Sequence, residues 1–300
     1  MDKPKYINPF VDFSFKLIFG QKSSGEFLIH FLNSLLKNTK DFDPIETVTY
    51  LDKEKTKEHP EGRAIIYDIL CTTEKGKKFI VEMQNRSQAL FIDRSLFYVC
   101  RAICDQATLD KYEWNYELMP VHFVAFLNFT MDKLGPKVIT HAMLSDVDTN
   151  EPITDKERFT FIQLPNFTLT KEECKEEIDE WLYTLKNMNT MEQMPFGNQI
   201  FGRLATAVEY ASLDQRQRIE YDRELKAYRD LYNQDKFVRE NGIAEGIAQG
   251  IKQGIKQGIK QGIEQGKAQG IAIGRAEGRA EGRAEGRAEG RAEGLAEGHA

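Results

Sequence analysis

Three residues able to do chemistry lie on two neighbouring strand-like runs, Asp68 in IIYDILC and Glu82 and Gln84 in FIVEMQ. TTEKGKK joins the runs. A three-residue Glu74-Lys75-Gly76 loop puts Gly76 in the left-handed position of a G1 bulge and sets Thr73 opposite Lys77. Counting back from that turn, Asp68 falls opposite Glu82. Side chains alternate along a strand, so Asp68, Glu82 and Gln84 share one face. The other face carries Ile65, Tyr67, Ile69, Cys71, Phe79, Val81 and Met83, an unbroken core face. Facing carboxylates repel each other. A hard divalent cation, Mg²⁺ or Mn²⁺, bound through oxygen reverses that sign. Such an ion polarises a phosphodiester and makes hydroxide available near neutral pH. Spacing alone leaves a second reading open, an ordinary half-exposed hairpin with solvated acids, and one slip of register undoes the pairing.

The elements around the hairpin alternate. DFSFKLIFG and EFLIHFLNSLL carry apolar residues at helical spacing, and a further helix runs from residue 89 to about 110. VHFVAFLNF, residues 121–129, is apolar on both faces, as a buried central strand is. KVITHAML and RFTFIQL add strands. The pattern predicts an α/β fold, a mixed central sheet flanked by helices. A helix over 171–187 opens on the capping-box pair Thr170 and Glu173. Residues 198–240 read as helices, the later part long and mostly exposed with a narrow stripe of Ile219, Tyr221, Leu225, Tyr228 and Leu231. The divisions expected are 1–165, a core; 166–240, a helical region; and 241–300, a tail.

Two helices offer further candidates. Asp12 and Lys16 stand at i,i+4 on the first. They form either a surface ion pair or an additional acid near the metal with a cation near a phosphate. Arg94, Tyr98 and Arg101 lie on one face of the helix after the hairpin. They form either a solvated basic stripe or phosphate contacts that position nucleic acid without reading its sequence. Arg86, just past the second strand, is a similar candidate, and Gln106 a residue able to face the cleft.

Composition narrows the classes. The chain has 300 residues, 41% of them apolar, and a net charge of −6. Residues 1–130 carry 17 Lys and Arg against 18 Asp and Glu, so no basic footprint marks nucleic acid across the domain. DNA contact then rests on a local groove and on metal ions, and is salt-sensitive. No run of 18 apolar residues exists, which excludes a membrane-spanning helix, and MDKPKYINPF has no apolar core of a signal peptide. The four cysteines lack CxxC spacing, so reduced thiols in the cytoplasm are expected. Cys100 and Cys104 at i,i+4 lack a neighbouring His or Cys to complete a metal set. The five histidines form no HExxH or HxxxH, and His122 reads as a core residue. P-loop, GxGxxG-after-strand and GxSxG signatures are missing.

The last 59 residues repeat a tetrapeptide. Glycine recurs at every fourth position from Gly242 to Gly298, with five successive GRAE units from Gly274. Fifteen glycines cost a helix about 12–15 kcal/mol against alanine, and like charges stack at i,i+4. Two readings stand: a solvated, partly disordered tail, or a helix that joins a second copy of the chain through its glycine stripes.

IIYDILC with KGKKFIVEMQ resembles the D…ExK pattern of the PD-(D/E)XK nuclease superfamily, with Gln84 at the usual Lys position. NPFVDFSFKLIFG is similar to the D-x-x-F-K-x-x-F signature of the recombination-promoting nuclease/transposase family. DRSLFYVCRAICDQ and the glycine-rich tail resemble that family too, and the likeness covers residues 5–130 well and the rest loosely. The resemblance implies an Mg²⁺- or Mn²⁺-dependent DNA endonuclease associated with recombination or mobile elements. It makes Asp68, Glu82 and the Met83 carbonyl metal ligands. It also gives Gln84 the water-orienting place of a lysine, without the charge. A catalytically silent DNA-binding or self-assembling protein is the alternative that Gln84 keeps open.

Overall fold

The computed structural model describes residues 4–40, 42–51, 66–106 and 117–297, with side chains as far as Arg291. The chain divides into two compact units, Met1–Tyr228 and Arg229–Ala300.

The first unit is built on one six-stranded mixed sheet. Its strands are β1 (Val48–Tyr50), β2 (Ile69–Thr73), β3 (Lys78–Gln84), β4 (Val121–Leu127), β5 (Ile139–Met143) and β6 (Glu157–Gln163). They lie in the order β1-β2-β3-β4-β6-β5. The three central strands, β3, β4 and β6, run parallel, and the outer pairings are antiparallel. A parallel β3–β4 pair needs a crossover, and helix α3 (Phe91–Cys104) supplies it. All seven residues of β4 are buried, as its two apolar faces require.

Two cores sandwich the sheet. On one side, Phe79, Val81, Val124, Phe126 and Ile162 meet α1 (Asp12–Phe19), α2 (Gly25–Leu36), α4 (Glu177–Asn187) and α5 (Gln199–Ala207). Its centre is aromatic: Phe31 lies 4.9 Å from Phe126, and Trp181 5.0 Å from Phe201, between ring centroids. Tyr221 and Leu225, from the first turns of α6 (Gln215–Glu297), complete this core. On the other side, Ile80, Phe123, Ala125 and Phe161 pack under Phe91, Val99 and Ala102 of α3. Because α4 and α5 share a core with α1, α2 and the sheet, the compact unit runs on past residue 165.

The hairpin has the expected register. Ile69 pairs with Val81, Cys71 with Phe79, and Thr72 with Lys78. Gly76 takes φ of +81°, and Thr73 N–H donates to the Lys77 carbonyl at 2.9 Å. Three expectations change. Tyr67 leaves the face it was assigned and packs in the α3-side core, while Ile69, Cys71, Phe79 and Val81 keep theirs. The Thr170–Glu173 capping box is present, yet it closes only a single 3-10 turn, Lys171–Glu173; a second box, Glu176 with Asp179, starts α4. The long helix α6 begins at Gln215, as expected, while the helix before it stops at Ala207 and gives way to a short 3-10 turn, Tyr210–Ser212. Ile65 lies outside the described residues.

The second unit is helical through Glu297. At each glycine from Gly242 to Gly290, the place where a Cβ would stand has nothing within 4 Å. The isoleucines beside them are 53–59% exposed.

Candidate functional site

The Asp68–Glu82 pair is held by backbone. Glu82 sits on β3 and is only 3% exposed, while Asp68 occupies the bend entering β2. The Asp68 N–H donates to Glu82 Oε1 at 3.1 Å, and the Met83 N–H donates to Asp68 Oδ2 at 2.9 Å. Each carboxylate is thus fixed by a main-chain donor on the opposite strand, a charge-assisted bond of the stronger kind. This exchange also explains Tyr67. Continuing the register would pair the Met83 N–H with the Tyr67 carbonyl; the Asp68 side chain takes that donor, and the ladder stops. Tyr67 then turns to α3, where its ring meets Tyr98 edge-on at 5.4 Å.

A residue of a narrow antiparallel pair aims its N–H and C=O at the same neighbour. The Met83 carbonyl therefore faces the strand that carries Asp68, on the side where its N–H reaches that carboxylate. The donor set gathered here is two carboxylates and one carbonyl, all oxygen. Oxygen donors of this kind fit a hard divalent ion such as Mg²⁺ or Mn²⁺. Among the described residues no group of three or more His, Cys, Asp or Glu is assembled, so the pair supplies two carboxylates and no third.

Helix α1 brings a cation. Lys16 Nζ bonds Asp12 Oδ2 at 2.5 Å, with both side chains about half exposed. Burial works to lower the Lys16 pKa. The Asp12 hydrogen bond and the charges of Asp12, Asp68 and Glu224 outweigh it, and the pKa is raised. Lys16 is therefore cationic at neutral pH and stands within the field of Asp68. Helix α3 contributes from the other side. The Tyr98 hydroxyl pKa is raised by burial and then by the charges of Glu82 and Asp68, with Arg94 opposing them. The Arg94 guanidinium lies 5.8 Å from the Tyr98 ring and donates to Gln88 at 2.6 Å. Its buried Nη2 finds no hydrogen-bond partner among the described residues.

The remaining candidates fall further out. Gln84 is half-buried at the end of β3, and its carbonyl accepts from the Asn128 N–H at 2.9 Å. Arg86 is exposed just beyond it. Arg101 turns along its helix to Asp105 at 2.9 Å. Gln106 does not face the cleft; its amide braces the Met119 backbone through both donor and acceptor, at 3.0 and 2.7 Å. Cys100 and Cys104 are exposed free thiols. His122 is buried at 4% exposure, bonded to Thr160 at 2.8 Å, with its pKa pushed down to about 3 by burial.

Sequence reasoning missed a second set of residues around the site. Asn85 Nδ2 donates to the Phe10 carbonyl at 2.7 Å, linking the end of β3 to the start of α1. Glu224 accepts from the Phe13 N–H at 2.8 Å across 211 positions of sequence. The only trace of this in the sequence was the Tyr221–Leu225–Tyr228 stripe, whose partner the spacing could not name.

The family profile described as PD-(D/E)XK nuclease family transposase matches residues 9–236. That match takes in the hairpin, both flanking helices and the first turns of α6. Comparison with curated proteins and with solved structures finds no match.

Proposed function

The chain belongs to the PD-(D/E)XK nuclease family of transposases, and from that premise we propose a metal-dependent DNA endonuclease that hydrolyses phosphodiester bonds in recombination or mobile-element movement. The observation that carries it is the Asp68–Glu82 pair, Glu82 buried and Asp68 half-buried, each acid held by the other strand's backbone. In this reading Asp68, Glu82 and the Met83 carbonyl hold Mg²⁺ or Mn²⁺. A bound divalent ion supplies Lewis-acid stabilisation of the charge that builds on the phosphate and acidifies water near it. The protein's own groups do the rest. Lys16 sets a fixed positive charge beside the pair, the role that Gln84, uncharged, does not fill. Gln84 orients water through its amide. Asp12 keeps Lys16 in place and adds a carboxylate. Arg94 and Tyr98, with Arg86 and Arg101 further out, contact the DNA backbone, which fixes register without reading bases.

Gln84 supports a second reading, a nuclease fold that binds DNA without cutting. Self-assembly through the repeat helix with a second copy fits either. No helix among the described residues is long and apolar enough to cross a membrane; action in the cytoplasm, on DNA, accords with this. Incubating supercoiled plasmid with the protein and Mg²⁺ or Mn²⁺ separates the readings. Nicking that a chelator stops, and that Asp68→Ala or Glu82→Ala abolishes, supports the endonuclease. Metal-independent binding with no nicking supports the silent form.

A further inference from the structure

Helix α1 starts badly on its own. Its N-cap is Val11, which has no side-chain acceptor, and the helix is only eight residues long. The first N–H groups of a helix need partners, and a helix this short is marginal unless something outside it helps. Yet α1 carries Asp12 and Lys16. The help comes from α6. Glu224 Oε2 accepts from the Phe13 N–H at 2.8 Å, placing a carboxylate at the positive end of α1. Its other oxygen lies 3.9 Å from the exposed Arg223. One turn earlier, the buried Tyr221 hydroxyl accepts from the Asn8 N–H at 2.9 Å. One turn later, the Tyr228 hydroxyl accepts from Asn128 Nδ2 at 3.3 Å, and the Asn128 N–H holds the Gln84 carbonyl. These three residues, at i, i+3 and i+7, occupy one face of α6.

We propose that this face is the positioning element of the site: Glu224, flanked by Tyr221 and Tyr228, clamps the start of α1 and the end of β3, so that Lys16, held by Asp12, stays beside Asp68. The three residues touch no substrate; they act through α1 and β3. The clamp rests on the nuclease reading for its consequence, though not for its existence.

The test uses the full chain, supercoiled plasmid with Mg²⁺, and amide hydrogen exchange without metal. Glu224→Ala is expected to lower kcat about tenfold or more while KM moves less than about threefold, because misplacement of a reacting group acts on the chemical step. Exchange at residues 13–16 should quicken about tenfold, with β3 and β4 unchanged. Glu224→Gln keeps an oxygen acceptor for the Phe13 N–H and should return kcat to within about threefold of wild type. Tyr221→Phe, which keeps the ring and drops the hydroxyl, covers the case in which Glu224→Ala fails to fold; it should quicken exchange at residues 8–12 and lower kcat about threefold. Unchanged exchange in either variant overturns the clamp. So does faster exchange with wild-type kcat. Should the wild-type protein itself fail to nick DNA, the nuclease reading falls, and the exchange result alone decides the clamp.

Discussion

The two ends of the central strands both bury polar groups and treat them in opposite ways. At the start of β4, His122 is stacked on Phe79 at 5.4 Å and bonds Thr160, whose hydroxyl also meets His141 at 2.9 Å. Burial lowers the pKa of both histidines, so this end is a neutral, hydrogen-bonded part of the core. At the end of β3 the Asp68 and Glu82 carboxylates are each held by a backbone N–H, with Lys16 of the Asp12–Lys16 pair in the field of Asp68. Buried polar groups that satisfy one another support a fold, whereas like charges brought together weaken it. The contrast is between a polar cluster closed by neutral hydrogen bonds and an acidic one held by main-chain donors.

Breaking the acid end gives the largest effect. Glu82→Gln and Asp68→Asn should cut plasmid nicking by about a thousandfold, the loss expected when several kcal/mol of charge stabilisation go. In the absence of metal the same variants should unfold at equal or higher denaturant than wild type, since they relieve repulsion. A large loss of stability would place the acids with the histidine end, as structural groups.

The histidine end should answer to pH and not to substrate. The folded pKa of His122 lies below its ordinary value, so its contribution is present above about pH 6.5 and is lost as pH falls toward 3. Urea unfolding should show about 2 kcal/mol less stability at pH 5 than at pH 7 from this group, with His141 adding in the same direction. His122→Gln should flatten that dependence and leave nicking at pH 7 within about twofold. A changed nicking rate would join the two ends.

The smallest effect belongs to Arg94, which flanks the acid end through Tyr98. Arg94→Ala should weaken plasmid binding a few-fold at all sequences and reduce the salt slope by about one. A change in sequence preference would instead make Arg94 a base-reading residue.

Much of the acid end was legible because its determinants are local. Gly76, one turn and two alternating runs fix the register that faces Asp68 with Glu82, and α1 and α3 follow from helical spacing. Tyr67 was not legible, because its place depends on a side chain, Asp68, taking a ladder bond that pattern reasoning assigns to a carbonyl. Thr170 and Glu173 carry a true capping signal, but a cap marks where a helix begins and cannot say that it ends one turn later. Glu224 was invisible for another reason. Its partner lies 211 residues away, and only the folded core brings α6 to α1. The spacing of Tyr221, Leu225 and Tyr228 showed that one face of α6 is apolar, and the structure shows what that face covers.

The most direct test of the central claim is the anomalous-scattering map of crystals grown with Mn²⁺. A single peak coordinated by the Asp68 and Glu82 carboxylates and the Met83 carbonyl is expected, and it should be lost in Glu82→Gln. An ordered acid pair with no peak beside it at saturating Mn²⁺, or a peak held by other residues, would contradict it.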